Sequence, residues 1–273
     1  NIVNVLSRTN DKIVLSVHSY LSKRKKTFYN RIYKLIIKIL YNKADNVIAI
    51  SKGVAKDLIN NYKLDSQIIQ YIYNPIKIEE IYRLAKEEIT EERDLFKQDD
   101  FILINVGRLT KAKGQWHLIR ALTYVKKEIK NFKLLILGEG ELENYLKDLV
   151  KNLGLNENVF FLGYKKNTFK YMSKSDLFVF SSLYEGFGNV LIEAMACGVP
   201  VISTDCRSGP REILAPGTDV DNETFEIKYC EYGVLIPVCD GIQYDHNKPL
   251  TKEEKLLAKS IIDLYKNESI RRK

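Results

Sequence analysis

Two glutamates bracket seven residues in the stretch "SSLYEGFGNVLIEAMACGVPVIS", residues 181–203. Glu185 stands just before Gly186 and Gly188, and Glu193 falls about one turn into the helix expected to begin near Asn189. Glycines at these positions let a ligand approach the backbone closely. A helix start aims free N–H groups into the same space and favours an anion. A carboxylate is a good acceptor for paired hydroxyls. The set suits a ligand with hydroxyl groups at each end and phosphates between. The plainer reading has Glu185 capping the helix and Glu193 pairing on its surface. The paired glycines and the cations upstream weigh against it.

Those cations lie in "INVGRLTKAKGQWHLI", where a strand ends at Val106, Gly107 turns the chain, and Arg108 and Lys113 precede a helix opening at Gly114. Open α/β sheets bind ligands at the carboxyl ends of their strands. There Arg can grip two phosphate oxygens and Lys supplies a point charge. Alone, the stretch reads as a solvated turn. "LLILGEGELENYL" resembles a dinucleotide fingerprint, but Glu143 stands where the third glycine belongs, which argues against a hydride-transfer cofactor. Its acidic residues fit the first turn of a helix. "FLGY", residues 161–164, offers another strand end with a glycine, suited to hydrogen bonds with a flat base. Together the motifs suit a nucleotide-sugar lying across a helix N-terminus.

Short apolar runs must carry these loops. Strands are expected at 13–17, 46–50, 68–72, 101–106, 133–137, 159–161, 176–180, 200–203 and 233–236. Amphipathic helices are expected at 27–42, 52–61, 114–127, 141–152 and 188–197. The alternation reads as βαβ units with helices on both faces of parallel sheets. Asn74-Pro75 marks a turn, and a linker is expected at 74–77, followed by a charged helix over 78–90. Residues 1–76 then form one unit and 77–273 a second. Only three strands precede the linker, too few for a complete doubly wound domain. With Asn1 at the start and the chain ending on Arg271, Arg272 and Lys273, the sequence reads as an internal fragment. Residues 215–232 are long for an αβ connection and fit a surface hairpin of unassigned role.

The chain has 273 residues, of which 45% are hydrophobic, enough for a substantial core. No apolar run reaches membrane-spanning length, and no secretory signal is evident. Four cysteines without close metal-type spacing fit reduced thiols of a cytoplasmic protein. The net charge of +8 is local: nine Lys or Arg and no acid lie between Lys12 and Ala44. In "KRKKTFYNRIYKLIIKILYNK", Arg31, Lys34 and Lys38 recur at helical intervals beside an apolar side of Ile32, Leu35, Ile36, Ile39 and Leu40. Residues 22–43 suit a packed helix with a solvated face, or contact with an anionic membrane surface. A pyrophosphate-linked lipid is another target for the same face. No motif supports nucleic acid as the partner.

The order and spacing of "VGRLTKAKG", "GEG", "EGFGNVLIE" and "AMACGVPVIS" resemble the retaining glycosyltransferases of family 4, from about residue 13 to 270. The resemblance implies a GT-B fold, two Rossmann-like domains facing a cleft, the first incomplete in this chain. "DCRSGPREIL" is similar to members that transfer hexoses or N-acetylhexosamines in surface-glycan or lipid-linked oligosaccharide assembly. It implies that Arg108 and Lys113 neutralise the donor diphosphate, Glu185 holds the donor sugar, and Glu193 binds the ribose. Backbone amides of Phe187, Gly188 and Asn189 would bind sugar hydroxyls or phosphate. Gly107, Glu139, Gly163, Tyr164, Gly186 and Val190 would line the donor site. His18 matches a position facing the sugar from the other domain, and reads equally as a lone loop histidine. The implied donor is a nucleotide-sugar, a UDP-sugar by family habit, and the acceptor a glycan or a polyprenyl-diphosphate-linked sugar. No metal or cofactor is expected, cations and helix dipoles taking its place. The implied chemistry is same-face substitution with retention. Two other readings stay open: a nucleotide-sugar epimerase on the same fold, and a donor-binding module without turnover.

Overall fold

The computed structural model describes residues 2–7, 10–23, 28–96 and 99–271. A first sheet pairs β1 (Val14–Val17), β2 (Asn46–Ala49) and β3 (Ile69–Tyr71) in parallel, in that order. A second comprises β4 (Phe101–Val106), β5 (Phe132–Leu137), β6 (Val159–Gly163), β7 (Leu177–Phe180), β8 (Val201–Thr204), β9 (Lys228–Cys230) and β10 (Gly233–Ile236). Its order is β6-β5-β4-β7-β8-β10-β9, parallel except for the β9–β10 hairpin. The helices are α1 (Ile2–Leu6), α2 (Phe28–Tyr41), α3 (Lys52–Tyr62), α4 (Ile78–Ala85), α5 (Gln115–Glu128), α6 (Glu143–Asn152), α7 (Phe169–Met172), α8 (Asn189–Ala196), α9 (Pro210–Leu214), α10 (Lys252–Lys266) and α11 (Glu268–Arg271). The architecture is the GT-B type of α/β fold, built on Rossmann-like parallel sheets.

Strands β7 and β8 are buried along their whole length, as strands covered on both faces must be. Alternate residues separate the two cores. Ile102, Ile104, Phe178 and Phe180 pack on the side of α8 and α9, and Leu103, Ile136, Leu177 and Val179 on the side of α5 and α10. The first of these cores continues without a break into Leu15, Val17 and Ala49 of the first sheet and Val54 of α3.

Several expectations shift. The charged helix ends at Ala85, five residues early, in a turn whose carbonyls Leu84 and Ala85 accept Asn167 and Ser173 side chains. Of residues 215–232, only 228–230 enter a hairpin. The remainder is a loop in which Asp219, Val220, Asp221 and Glu223 engage Lys56 and Arg207. In α2 the core takes Ile37 and Tyr41, while Ile32, Leu35 and Ile39 stand 44%, 57% and 51% exposed. The expected apolar side is therefore split: Leu40 packs on the core, whereas Ile32, Leu35 and Ile39 point outward next to exposed Lys34 and Lys38. Residues 24–27 and the side chain of Arg31 lie outside the described residues.

A buried polar cluster ties α10 to α5. Glu254 completes a capping box with Thr251 and accepts from His117 Nδ1 at 2.8 Å and Arg120 Nε at 2.9 Å. Arg120 also donates to the carbonyls of Asp245, Lys248 and Pro249, closing the loop before α10. Burial alone would raise the Glu254 carboxyl, but the His117, Arg120 and Thr251 hydrogen bonds outweigh it and hold the pKa below the usual glutamate value. That contribution is present above the unfolded pKa and is lost as pH falls through the folded one. Arg120→Ala strands a buried carboxylate and is expected to cost about 3 kcal/mol in urea unfolding. It should also flatten the acid limb of the stability profile.

Candidate functional site

The strand order reverses between β4 and β7, so the loops leaving their carboxyl ends flank a crevice. The two loops interlock. Leu183 N–H donates to Ala112 O at 2.8 Å, and Ser181 Oγ to Lys113 O at 2.9 Å. Gly114, at φ 60°, lies so near the Ser181 carbonyl that a Cβ would sit 2.5 Å from it. This contact turns Lys113 back across Gly107, where a Cβ would sit 3.3 Å from Lys113 Cε. The ammonium lies 5.2 Å from the centre of the Phe180 ring and 2.6 Å from Glu185 Oε1. Ser182 Oγ donates to the same oxygen at 2.7 Å. Glu185 Oε2 accepts nothing among the described residues. The result is a fixed carboxylate with one free oxygen beside a partly buried ammonium.

Beyond Glu185 the chain runs through Gly186 to Gly188, which takes φ 90° and starts α8. The N–H groups of Gly186, Phe187, Gly188, Asn189 and Val190 donate to no acceptor among the described residues. Consecutive free amides opening a helix form an anion cradle. Glu193, a turn further on, is half-buried, and no hydrogen bond or ion pair engages its carboxylate among the described residues. Burial raises its pKa. The side chain of Asn189 accepts from Asn74 at 3.2 Å.

On the other flank, Gly138 packs so tightly on the Gly107 carbonyl that a Cβ would lie 2.1 Å away. Gly138 N–H donates to Gly163 O at 2.8 Å, and Leu109 N–H to Glu139 O at 2.9 Å. The Glu139 carboxylate accepts the Tyr164 N–H at 3.2 Å, leaving the Tyr164 ring 71% exposed. Gly107, Glu139, Gly163 and Tyr164 thus form one ledge. Arg108 projects from it into solvent, and nothing engages its guanidinium among the described residues. It does not touch Lys113 or Glu185. His18 follows directly on β1 of the first sheet, its Nε2 2.7 Å from Ser16 Oγ. Its carbonyl lies against Gly186, where a Cβ would come within 2.3 Å.

The structure therefore gathers Gly107, Lys113, Glu185, Gly186 and His18 by direct contact, with the 187–190 amides and Glu193 following along α8. Sequence reasoning missed Ser182 and Phe180, which set the Glu185–Lys113 pair. Ser182 stands three residues before Glu185, the one signal available. Sequence reasoning also overlooked an Asp-x-Asp triplet, Asp219-Val220-Asp221, which lies elsewhere with its carboxylates engaged by Lys56 and Arg207. A cavity of about 970 Å³ opens at the amino ends of β7 and β8, lined by Asp176, Pro200, Tyr229, Tyr232 and Leu264, and shares no residue with these loops.

If Glu193 accepts from a hydroxyl, protonating it replaces a charged acceptor by a weaker neutral one. Its raised pKa brings this loss to milder acidity than for a free glutamate. The affinity of a hydroxyl-bearing anion such as ribose 5-phosphate, followed by calorimetry, is expected to weaken on acidification more steeply in the wild type than in Glu193→Gln.

Residues 86–223 match the family model described as glycosyl transferases group 1, and residues 2–80 the one described as glycosyltransferase family 4. An uncharacterized glycosyltransferase of Methanocaldococcus jannaschii is 39% identical over 269 residues, covering 97% of this chain and 66% of its own. The N-acetylgalactosamine-N,N'-diacetylbacillosaminyl-diphospho-undecaprenol 4-alpha-N-acetylgalactosaminyltransferase of Campylobacter jejuni is 41% identical over 204 residues, covering 73% and 53% respectively. The chain thus spans about half to two thirds of these relatives' lengths. Among solved structures, Anabaena HepE in complex with UDP superposes with a TM-score of 0.69 at 24% identity, covering 96% of this chain and 64% of that one. Staphylococcus aureus TarM gives 0.71 at 22% identity, covering 97% and 46%. The match to half the chain, on a fold and a switch-point site of this kind, makes the protein a member of the group 1 glycosyl transferases, with an N-terminal part of the family 4 type.

Proposed function

We propose that the protein transfers a hexose or N-acetylhexosamine from a UDP-sugar to a glycan or polyprenyl-diphosphate-linked acceptor, with retention at the anomeric carbon. The observation that carries the reading is the Lys113–Glu185 pair beside five free amides at the strand switch. Arg108 and Lys113 neutralise the diphosphate, and the amides of residues 186–190 complete its cradle. The free Oε2 of Glu185 accepts a sugar hydroxyl, and Glu193 accepts from the ribose. The ledge of Gly107, Glu139, Gly163 and Tyr164 receives the base, and His18 closes over the sugar from the unit of residues 1–76. The undecaprenol-linked substrate in the Campylobacter relative's name supports a lipid-linked acceptor.

In the reaction the bond from the anomeric carbon to the diphosphate oxygen breaks, and that oxygen keeps the electron pair. The acceptor hydroxyl attacks from the same face and gives its proton to the departing phosphate. Catalysis is then mainly stabilisation of the leaving diphosphate by fixed cations and amides. Glu185→Gln is expected to lower transfer of labelled sugar roughly 100-fold or more, with the melting temperature little changed. Wild-type transfer in that variant would remove Glu185 from the mechanism. Isomerised donor without transfer would point to an epimerase, and donor binding without turnover to a binding module.

The acceptor reading extends to a membrane surface. Exposed Ile32, Leu35 and Ile39 beside Lys34 and Lys38 form an apolar stripe edged by cations, the pattern of an interfacial helix. Each basic residue near an anionic bilayer contributes about 1 kcal/mol. Among the described residues no helix is long and apolar enough to cross a membrane, so the proposed location is peripheral, on the cytoplasmic face. Lys34→Glu with Lys38→Glu is expected to abolish pelleting with phosphatidylglycerol vesicles, and Leu35→Ser with Ile39→Ser to weaken it even at low salt. Unchanged pelleting in both would leave α2 an ordinary surface helix.

A further inference from the structure

One backbone oxygen in the site is held from both units. The Gly186 carbonyl lies 2.9 Å from Ser51 Oγ, at the start of α3, and 2.8 Å from Ser208 Oγ, in the loop before α9. The two hydroxyls are themselves 3.0 Å apart, and Ser51 is fully buried. Around them the packing is close on every side. A Cβ on Gly53 would lie 2.3 Å from Ser208 Cβ, and one on Gly209 would overlap the Phe187 carbonyl.

The first turn of α3 is in turn gripped by the second unit. The Glu212 carboxylate accepts the N–H groups of Lys52 at 2.8 Å and Gly53 at 3.0 Å, and the Tyr73 hydroxyl at 3.1 Å. Tyr73 stacks on Phe187 with ring centres 4.8 Å apart. Lys56, one turn along α3, pairs with Asp219 and Asp221.

In a trans peptide the carbonyl and the following N–H point in opposite directions. Fixing the Gly186 carbonyl toward Ser51 and Ser208 therefore fixes the Phe187 N–H in the opposite sense, away from the serines. We infer that Ser51 is a positioning residue for the donor: reaching across from the first unit, it orients the Gly186–Phe187 peptide so that the free amide row faces the diphosphate. Glu212 holds α3 where Ser51 can do this. The inference rests on the donor reading above and adds to it a role for the interface between the two sheets.

Ser51 is also the N-cap of α3, its Oγ accepting the Val54 N–H at 3.0 Å. A loss of stability on substitution would follow from that cap alone. The test therefore separates cap from donor. Ser51→Asp keeps an acceptor for Val54 but has no hydrogen to give Gly186. Ser51→Thr keeps both. UDP binding to the 273-residue chain is measured by calorimetry, with melting temperature followed in parallel. Ser51→Asp and Ser51→Ala are expected to bind UDP about five- to tenfold more weakly, Ser51→Thr close to wild type, and Ser208→Ala at an intermediate level. Equal UDP affinity in Ser51→Ala and wild type would overturn the inference and leave Ser51 a helix cap. Should Ser51→Asp fail to fold, the order Ser51→Thr, Ser208→Ala, Ser51→Ala decides alone. If wild type itself binds no nucleoside diphosphate, the donor reading fails instead, a result distinct from equal binding in wild type and variants.

Discussion

Parallel pairing of β4 with β7, in the register Leu103↔Leu177 and Ile104↔Phe178, brings together two loops whose working residues are 72 positions apart. Everything chemical in the protein follows from that adjacency. The strand order reverses there, so no crossover helix fills the space at the carboxyl ends. The Leu183–Ala112 and Ser181–Lys113 bonds then weld the loops into one surface. Lys113 has no freedom to leave: Gly107 lies beneath it, Phe180 beside it and Glu185 ahead of it. A site assembled this way loses little entropy on meeting an anion, because its cation and amides are already fixed.

The electrostatics have a consistent gradient. Lys113 and the amides of 186–190 occupy the middle of the crevice, and Arg108 extends into solvent from the ledge beside it. The acids Glu139 and Glu193 stand to either side, and Glu185 is tied to Lys113 on one oxygen only. Ser182 matters as much as Lys113 in this, since both act on Oε1 and so leave Oε2 as the accepting atom. A ligand carrying negative charge centrally and hydroxyls peripherally is complementary to that order.

Much of this was readable before any coordinates. "FILINV", "LLIL" and "LFVF" are apolar without alternation, which only strands buried on both faces sustain, and their loops announce themselves by Gly107, Gly186 and Gly188. The motifs that resemble family 4 enzymes lie on those loops. What could not be read came from contacts between remote segments. Ser51 meets Gly186 across 135 positions, and Glu212 meets Gly53 across 159. Neither serine nor glutamate differs in local pattern from an ordinary cap or surface acid. Helix α2 lies where its period put it, but which of its residues the core takes could not be read. Its period defines an apolar stripe, but Ile37 and Tyr41 were claimed by the core and Ile32, Leu35 and Ile39 were not, a choice made by neighbouring elements. The Asp-x-Asp triplet shows the converse, a pattern with chemical associations that the fold spends on ion pairs with Lys56 and Arg207.

The anchor at Gly186 has an evolutionary corollary. Its acceptor is a main-chain oxygen, which no codon change can delete or recharge, and close packing at Gly53, Gly186 and Gly209 against Ser208, His18 and Phe187 holds the segments around it together. Substitutions elsewhere along the crevice can therefore proceed without disturbing how the two sheets meet. The vulnerability is displaced onto two small hydroxyls and three positions that tolerate no side chain. The lining of the crevice and the fit between the sheets can drift separately in such a scaffold.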